Sequence, residues 1–352
     1  MVLLEGHALI VPLRHLRKPS AASLSRVSSV ETVRARLGTP TTQRILRWGG
    51  PVAYGIALGA YLWRDGLPLS RDRLLMWILL GLLAFSLTNV RGWIRSVVLE
   101  WIPFALILWV YDLLRGQADG LFFQTHVEPQ LRADEILFGG TAPTVWLQDQ
   151  LWDAFHLHWY DYGAWLVYVS YFVGTYIVAA FLWWVDRPLF RRYVVTVSVI
   201  AMMGFTTYAL FPAAPPWMAS QLGALEPTTR SVGIIWSHIP IAHFNTLFEK
   251  GTQYANSVAA VPSLHAAYTL LISLYLWRFA PRWGRVLLAL YPWAMAFALV
   301  YTSEHYFVDI LLGWIYAVAA LWAVHRVAER LAARRTGAPG AGPASGARSS
   351  RT

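Results

Sequence analysis

Two short stretches near the end of the chain, Pro262-Ser263-Leu264-His265 and His305-Tyr306-Phe307-Val308-Asp309, decide how this sequence is interpreted. Each opens an apolar run long enough for a transmembrane helix. Each therefore places a histidine at a membrane boundary, where protonatable groups are rare without a function. His305 and Asp309 are four residues apart and share one helix face. The pattern predicts two functional histidines on membrane helices, one of them with a carboxylate partner.

The composition is that of a polytopic membrane protein. Of the 352 residues, 57% are hydrophobic and only 14% are charged, whereas about 25% of the residues in soluble domains are charged. The absence of cysteine excludes disulfides, thiolate-bound zinc and thiol nucleophiles. The net charge of +10 comes mostly from the two tails and short loops. That distribution orients membrane proteins, so no nucleic-acid partner is predicted.

Hydrophobic runs predict an all-α protein with about eight transmembrane helices, against a requirement of about 17–25 residues for each. With the N-terminal tail in the cytoplasm, every internal loop carries arginine and the acidic segment 116–161 lies outside. This arrangement satisfies the positive-inside rule. The predicted spans are 48–63, 74–90, 97–114, 162–184, 193–211, 263–280, 286–302 and 307–325.

The topology also predicts how the chain is divided and where its site lies. Segment 212–217 and both histidine motifs fall on the same, extracytoplasmic face, and this convergence carries more weight than either motif alone. Four parts are expected: a basic cytoplasmic tail (1–47), two N-terminal membrane helices (48–96), a six-helix catalytic membrane domain (97–325), and a basic, disordered tail rich in Gly, Ala, Pro and Ser (326–352).

The residue types at the two motifs suit phosphoryl transfer. His305 is the candidate nucleophile, and Asp309 would hold its imidazole in one tautomer and stabilise the charge it acquires. Ser263 is expected to cap the helix that carries His265, so that free N–H groups and the positive dipole end face a phosphate. His265 can then protonate the leaving oxygen, a contribution worth about 10²–10⁴-fold.

These residues resemble the type 2 phosphatidic acid phosphatase superfamily of lipid phosphatases and phosphotransferases. The motif Phe211-Pro212-Ala213-Ala214-Pro215-Pro216-Trp217 is similar to the first motif of its inositol phosphorylceramide synthase branch, as are Leu137-Phe138-Gly139-Gly140, Trp146-Leu147-Gln148 and Tyr111-Asp112-Leu113-Leu114-Arg115-Gly116. The resemblance covers about residues 97–325. It implies transfer through a phosphohistidine without metal or cofactor, with His305 attacking, His265 as acid and Asp309 orienting. Substrate contacts are expected from Ser263, Pro215, Pro216 and Trp217.

One departure from that family concerns the cations that hold phosphate. Its phosphatase members carry a Lys/Arg-Pro first motif and an arginine six residues before the nucleophile, where this chain has Leu299. The change argues against a broad phosphomonoesterase and favours a diester donor, whose phosphate carries less charge. Arg230, Lys250 or His243, all within 212–262, are candidate replacements, unless they are ordinary loop charges.

Two acidic residues, Glu100 and Asp112, lie within the third predicted span. Intramembrane acids usually face the interior of a helix bundle. They are candidate substrate-binding residues that would contact a substrate hydroxyl, and a helix-packing hydrogen bond is an equal alternative. His156 and His158 lie near aspartates but without the spacing of metal ligands, so no metal site is predicted.

The sequence therefore predicts a multi-pass protein of the cell membrane, with both termini in the cytoplasm and its active site on the extracytoplasmic face. It would move a phosphoryl-linked head group, with phosphoinositol as the first choice, from a phospholipid donor to a lipid alcohol acceptor. A lipid phosphatase acting on phosphatidic acid or a polyprenyl phosphate is one alternative. A non-enzymatic lipid transporter or scaffold, with Glu100 and Asp112 as carriers, is the second. Which hydroxyl attacks decides between transferase and phosphatase, and the sequence leaves that choice open.

Overall fold

The computed structural model describes residues 40–66, 68, 71–116, 123–239 and 257–335. Within these ranges the chain is mainly helical, and its β pairing is limited to isolated bridges that join His126, Ala213 and Ala259. The prediction of an all-α fold is confirmed. The helices are α1 Pro40–Asp65, α2 Arg71–Phe85, α3 Val90–Ser96, α4 Ile102–Gly116, α5 Glu128–Leu137, α6 Pro143–Leu151, α7 Trp159–Val185, α8 Arg187–Leu210, α9 Pro216–Gln221, α10 Ser231–Ser237, α11 Leu264–Leu276, α12 Arg282–Tyr301 and α13 Phe307–Arg335.

The chain is a multi-pass membrane protein. α11 is apolar, but its 13 residues span only about 20 Å, less than the roughly 30 Å of a hydrocarbon core. The helices α3 and α4 are continuous through a π-helical turn at Val97–Trp101. The number of eight spans stays a prediction, because five helical segments of the described chain are long and apolar enough to cross a membrane: Leu87–Leu114, Trp159–Val185, Arg187–Leu210, Arg282–Tyr301 and Phe307–Arg334.

The short helix α11 lies at the centre of the bundle, in contact with α7, α8, α12 and α13. It is apolar on all sides, which is the pattern of a helix surrounded by others, and Ala266, Ala267 and Leu271 have no exposed surface. Gly313 of α13 faces the backbone carbonyl of Ser263, where a Cβ atom would collide. This glycine therefore lets α13 approach the first turn of α11, and the close approach joins the two sequence motifs.

Several boundaries differ from the predicted ones. α1 begins at Pro40, within the stretch predicted as a tail, and α13 continues to Arg335, beyond the predicted boundary at 326. The residues after 325 are mostly good helix formers, and Arg326 and Glu329 add an ion pair at 3.9 Å along one face. The two long connections also contain helices that hydrophobic periodicity did not indicate: α5 and α6 before α7, and α9 and α10 after α8.

Candidate active site

The structure brings the two histidines together. Nε2 of His305 lies 3.4 Å from Nδ1 of His265, and the ring centroids are 5.5 Å apart. His305 precedes α13, whereas His265 lies in the first turn of α11. Because these two helix starts adjoin, both imidazoles can reach one phosphate group.

Asp309 connects the two helix starts. Its Oδ2 atom lies 3.5 Å from Nδ1 of His305, which is longer than a normal N–H···O hydrogen bond. The same oxygen accepts a hydrogen bond from the N–H of Tyr306 at 3.0 Å, and the backbone carbonyl of Asp309 accepts one from the N–H of Ser263 at 2.9 Å. Asp309 is 0% exposed and His305 is 6% exposed. In the described part of the chain, Oδ1 of Asp309 accepts no hydrogen bond, which leaves a buried carboxylate oxygen unsatisfied beside the histidine.

The first turn of α11 is capped as the sequence predicts. The hydroxyl of Ser263 accepts a hydrogen bond from the N–H of Ala266 at 3.4 Å, and Ser263 itself is fully buried. His265 packs against aromatic rings of α7, with centroids 4.1 Å from Tyr171 and 5.1 Å from Tyr168. These tyrosines were not among the predicted residues. Their spacing along one face of α7 was the available signal.

Arg230 forms an ion pair with Glu304, the residue just before His305. Its Nε and Nη2 atoms donate to the two carboxylate oxygens of Glu304, at 2.7 and 3.0 Å. The guanidinium carbon also lies 4.9 Å from the ring centroid of Trp217. Burial lowers the pKa of Arg230, but the pairing with Glu304 outweighs it and leaves the pKa above its ordinary value. The Arg230–Glu304 pair, with its guanidinium in the charged form, therefore lies next to the candidate nucleophile. Lys250 and His243, the other two candidate cations, lie outside the described residues.

The proline-rich motif reaches the site through the loop before α13. Pro215 and Pro216 are buried. Pro215 precedes α9, and Pro216 occupies its first helical position, where proline is favoured. The N–H of Trp217 donates to the carbonyl of Ser303 at 3.2 Å. Ser303 has a φ of 64°, a left-handed conformation that is uncommon for serine. The motif thus fixes the turn that carries Glu304 and His305, and Trp217 is the member that contacts Arg230.

Asp134 of α5 is a residue at this site that the sequence analysis missed. Its Oδ2 and Oδ1 atoms accept hydrogen bonds from the N–H groups of Phe307 and Val308, at 2.8 and 2.9 Å. Burial raises the pKa of Asp134 to about 6, although these two hydrogen bonds act in the opposite direction. The available signal was its position three residues before the Leu137-Phe138-Gly139-Gly140 motif.

The structure does not bring Glu100 to the histidines. Its carboxylate accepts hydrogen bonds from Arg187 at 2.7 Å, from Arg191 at 2.9 Å and from Trp183 at 3.1 Å. Arg187 begins α8, whereas Tyr208 near the end of α8 donates to the carbonyl of Pro262 at 2.8 Å. About 30 Å of helix separates the two places. These contacts match the helix-packing alternative for Glu100.

Asp112 and the histidines near 153–161, which the sequence analysis also considered, lie in or just before helices other than α11 and α13. Asp112 is partly buried near the end of α4. His158 and Asp161 cap the start of α7, with the N–H of His158 donating to Oδ2 of Asp161 at 2.6 Å, and the hydroxyl of Tyr301 donates to Oδ1 of Asp161. Among the described residues, no three His, Asp or Glu side chains converge as metal ligands.

An apolar cavity of about 680 Å³ lies next to the first residue of α13. Its walls come from α6, α12 and α13, with Trp146, Trp293, Phe297 and Phe307 among the lining residues. A volume of this size is within the range of about 300–1,000 Å³ that small-molecule sites occupy. Phe307 follows His305 by two residues, so the cavity and His305 both lie at the start of α13.

The fold and the histidine pair define a class of membrane enzyme. A family model of the PAP2 superfamily matches residues 134–323, just over half of the chain, and this range includes Asp134, His265, His305 and Asp309. The chain belongs to the PAP2 superfamily and is an enzyme of its phosphotransferase and phosphatase class.

Three named relatives narrow the comparison. The chain is 28% identical over 231 residues to the phosphoinositol dihydroceramide synthase of Bacteroides thetaiotaomicron, a match covering 62% of this chain and 73% of that protein. It is 30% identical over 170 residues, 46% of this chain, to the inositol phosphorylceramide synthase catalytic subunit aur1 of Schizosaccharomyces pombe. It is 28% identical over 162 residues, 44% of this chain, to the inositol phosphorylceramide synthase of Candida albicans. The matches cover only 38% and 33% of the two fungal proteins. No solved structure matches the chain.

Proposed function

We propose that this protein is a lipid phosphotransferase that moves phosphoinositol from a phospholipid donor to the hydroxyl of a ceramide-type lipid, through a phosphohistidine at His305. The observation that carries the proposal is the 3.4 Å approach of His305 to His265, with Asp309 on the far side of the His305 ring. The names of the three relatives support the head group and the acceptor, because each denotes a synthase of an inositol-bearing ceramide lipid. The adjoining apolar cavity supports a lipid rather than a soluble phosphate ester.

The two histidines divide the chemistry between them. Asp309 faces Nδ1 of His305, which favours a proton on that nitrogen and leaves the lone pair on Nε2 as the nucleophile. Nε2 attacks phosphorus while the bond from phosphorus to the diacylglycerol oxygen breaks, and His265 gives its Nδ1 proton to that oxygen. In the second step His265 takes the proton of the acceptor hydroxyl. The acceptor oxygen then attacks phosphorus, the phosphorus–nitrogen bond breaks, and both histidines return to their initial states.

Arg230 is the cation we assign to the substrate phosphate. Its pairing with Glu304 uses Nε and Nη2, which leaves Nη1 of the five-donor guanidinium outside that pair. Because Glu304 neutralises most of the guanidinium charge, the pair suits a phosphodiester with one negative charge better than a monoester with two. This charge balance supports a diester donor, as the missing family cations do.

We place this site on the extracytoplasmic leaflet. Arg187, Arg191 and Arg278 lie at the opposite end of the bundle, and arginine is enriched on the cytoplasmic side of membrane proteins. The lack of cysteine allows a clean test with single cysteines introduced at the exposed positions Ser237 and Arg282. A membrane-impermeant thiol reagent applied to whole cells is expected to label Ser237→Cys and not Arg282→Cys. The reverse pattern would invert the orientation.

The activity is tested with purified protein in vesicles that contain phosphatidylinositol, phosphatidic acid, a ceramide and a diacylglycerol, with products identified by mass spectrometry. His305→Ala is compared with wild type and with His156→Ala, a control at an exposed histidine that pairs with the nearby Asp153. We expect a phosphoinositol-bearing ceramide from wild type and the control, and none from His305→Ala. Release of free phosphate alone would identify a phosphatase instead. Identical products from all three proteins would exclude His305 as the nucleophile for these lipids.

A further inference from the structure

We propose that Asp134 is a positioning residue for the reaction. It fixes the start of α13 and, with it, the preceding residue His305. The inference rests on the proposed phosphotransfer at His305. It begins from an unusual cap: the first N–H groups of α13 are bound by a carboxylate from α5, 173 and 174 residues earlier in the chain.

The start of a helix leaves several backbone N–H groups without helical partners, and the residue just before the helix commonly binds one of them. At the start of α13, two carboxylates bind these N–H groups. Asp309 binds the N–H of Tyr306, whereas Asp134 binds those of Phe307 and Val308, so three consecutive N–H groups are occupied. Because Asp134 belongs to a different helix, its two bonds fix α13 relative to α5 as well as closing the helix end.

That position determines where the His305 ring lies. His305 is two residues before Phe307, and its ring must face Asp309 through Nδ1 and His265 through Nε2 at the same time. A backbone shift at Phe307 would move both contacts together. Displacements of about 1 Å at a reacting group lower rates by up to about 100-fold. Asp134 is therefore placed to act through the orientation of His305 rather than by touching the substrate.

The ionised carboxylate of Asp134 does not increase the stability of the fold. The residue is 0% exposed, and Asp309 of α13 and Tyr306, which precedes α13, lie near it together with Glu135 of its own helix. The pKa of its carboxyl is raised from 3.8 to about 6, chiefly by burial, with a contribution from Asp309. A carboxyl whose pKa is higher in the folded state makes the protein less stable as pH rises through that interval. Above about pH 6 the ionised side chain thus lowers stability, while it supplies acceptors for two N–H groups.

The test compares Asp134→Ala, which removes both acceptors, with Asp134→Asn, which keeps one oxygen acceptor and removes the charge. Glu135→Gln is the matched control, because it alters the neighbouring carboxylate on the same helix. The full-length proteins are compared in vesicles for kcat and KM of lipid transfer, for apparent melting temperature, and for hydrogen exchange of the amides at 305–309. We expect Asp134→Ala to lower kcat by about 10–100-fold with KM little changed.

Asp134→Asn is expected to recover part of that kcat and to melt no lower than wild type above about pH 7, because it removes a buried charge. Faster exchange at Phe307 and Val308 is expected in Asp134→Ala, and wild-type behaviour in Glu135→Gln. Wild-type kcat in Asp134→Ala would overturn the proposal, and so would a melting temperature in Asp134→Asn that falls along with kcat. If the wild-type protein transfers no phosphoinositol, the proposed function fails separately. The exchange rates at Phe307 and Val308 then still decide whether Asp134 orders the His305 segment.

Discussion

Both ends of the helical bundle contain a largely buried carboxylate, but the two carboxylates differ in how many of their hydrogen bonds are formed. At one end Glu100 is enclosed by Arg187 and Arg191, with nitrogen–oxygen distances of 2.7 and 2.8 Å, and Trp183 donates a further hydrogen bond. At the other end His305 lies 3.5 Å from Asp309. Within the described ranges, the second oxygen of that carboxylate has no hydrogen-bond donor.

The difference separates a structural cluster from a reactive one. A carboxylate with both oxygens engaged by arginines is committed to helix packing, and removing it leaves those charges unpaired. Buried polar groups with incomplete hydrogen bonding are costly, and they persist where a substrate or a reaction uses them. Substitutions at the two ends should accordingly affect different properties: activity at the histidine end and stability at the Glu100 end.

After the loss of His305 itself, the largest effect should come from the proposed acid, His265. We expect His265→Asn to lower kcat for lipid transfer by about 10²–10⁴-fold, because the leaving diacylglycerol oxygen then departs without a proton. The measurement is repeated with a phosphodiester donor whose leaving group is a nitrophenolate, which departs readily as an anion. With that donor the burst of nitrophenolate release, which reports only the first step, should be nearly as fast as in wild type, whereas the second step stays slow because His265 also takes the acceptor proton. An equal defect in the first step with both donors would contradict the role of His265 as an acid.

A smaller effect is expected from separating the two helices that carry the histidines. A Cβ atom at Gly313 would collide with the carbonyl of Ser263, so Gly313→Ala should displace α13 from the start of α11. We expect kcat to fall by about 10–100-fold and the free energy of unfolding to fall by about 1–3 kcal/mol from overpacking.

Gly163 of α7 provides the control for that substitution, because a Cβ atom there meets nothing within 4 Å. Gly163→Ala should leave kcat unchanged and, through higher helix propensity, leave stability equal or raised by up to about 1 kcal/mol. Normal activity in Gly313→Ala would show that the close approach of α11 and α13 is not required for the histidine pair.

The histidine end could largely be predicted from the sequence, because its signals are local. His305 and Asp309 are one helical turn apart, and Ser263 caps the helix whose first turn contains His265. The positive-inside rule then places the two motifs on one face of the membrane. Local spacing and membrane orientation therefore predict that the two motifs share one face. That the two imidazoles meet depends on the close packing of α13 against α11 at Gly313, which the sequence did not indicate.

The remaining contacts depend on partners that are far apart in the chain. The hydrogen-bond donors to Asp134 are backbone N–H groups 173 and 174 residues away. Every residue except proline has such a group, so the sequence does not show which of them Asp134 binds. Arg230 meets Glu304 across 74 residues, and Glu100 meets Arg187 across 87. Only the packing of helices defines such pairs, so the sequence left the roles of Arg230 and Glu100 open and did not indicate Asp134.

The smallest effect on activity is expected at the opposite end of the bundle. Glu100→Gln removes the charge that two arginines share, and the uncompensated guanidinium groups should lower the free energy of unfolding. Breaking a buried pair costs about 3–5 kcal/mol. We expect about 1–2 kcal/mol here, because both arginines remain partly exposed and solvent screens them.

Thermal unfolding and lipid transfer measured on the same Glu100→Gln preparation decide whether the two ends are independent. A lower melting temperature with kcat and KM within about twofold of wild type is expected, since about 30 Å of α8 separates Glu100 from the histidines. A Glu100→Gln protein that melts normally but loses activity would instead assign Glu100 to the substrate. The distinction between a structural end and a reactive end would then fail.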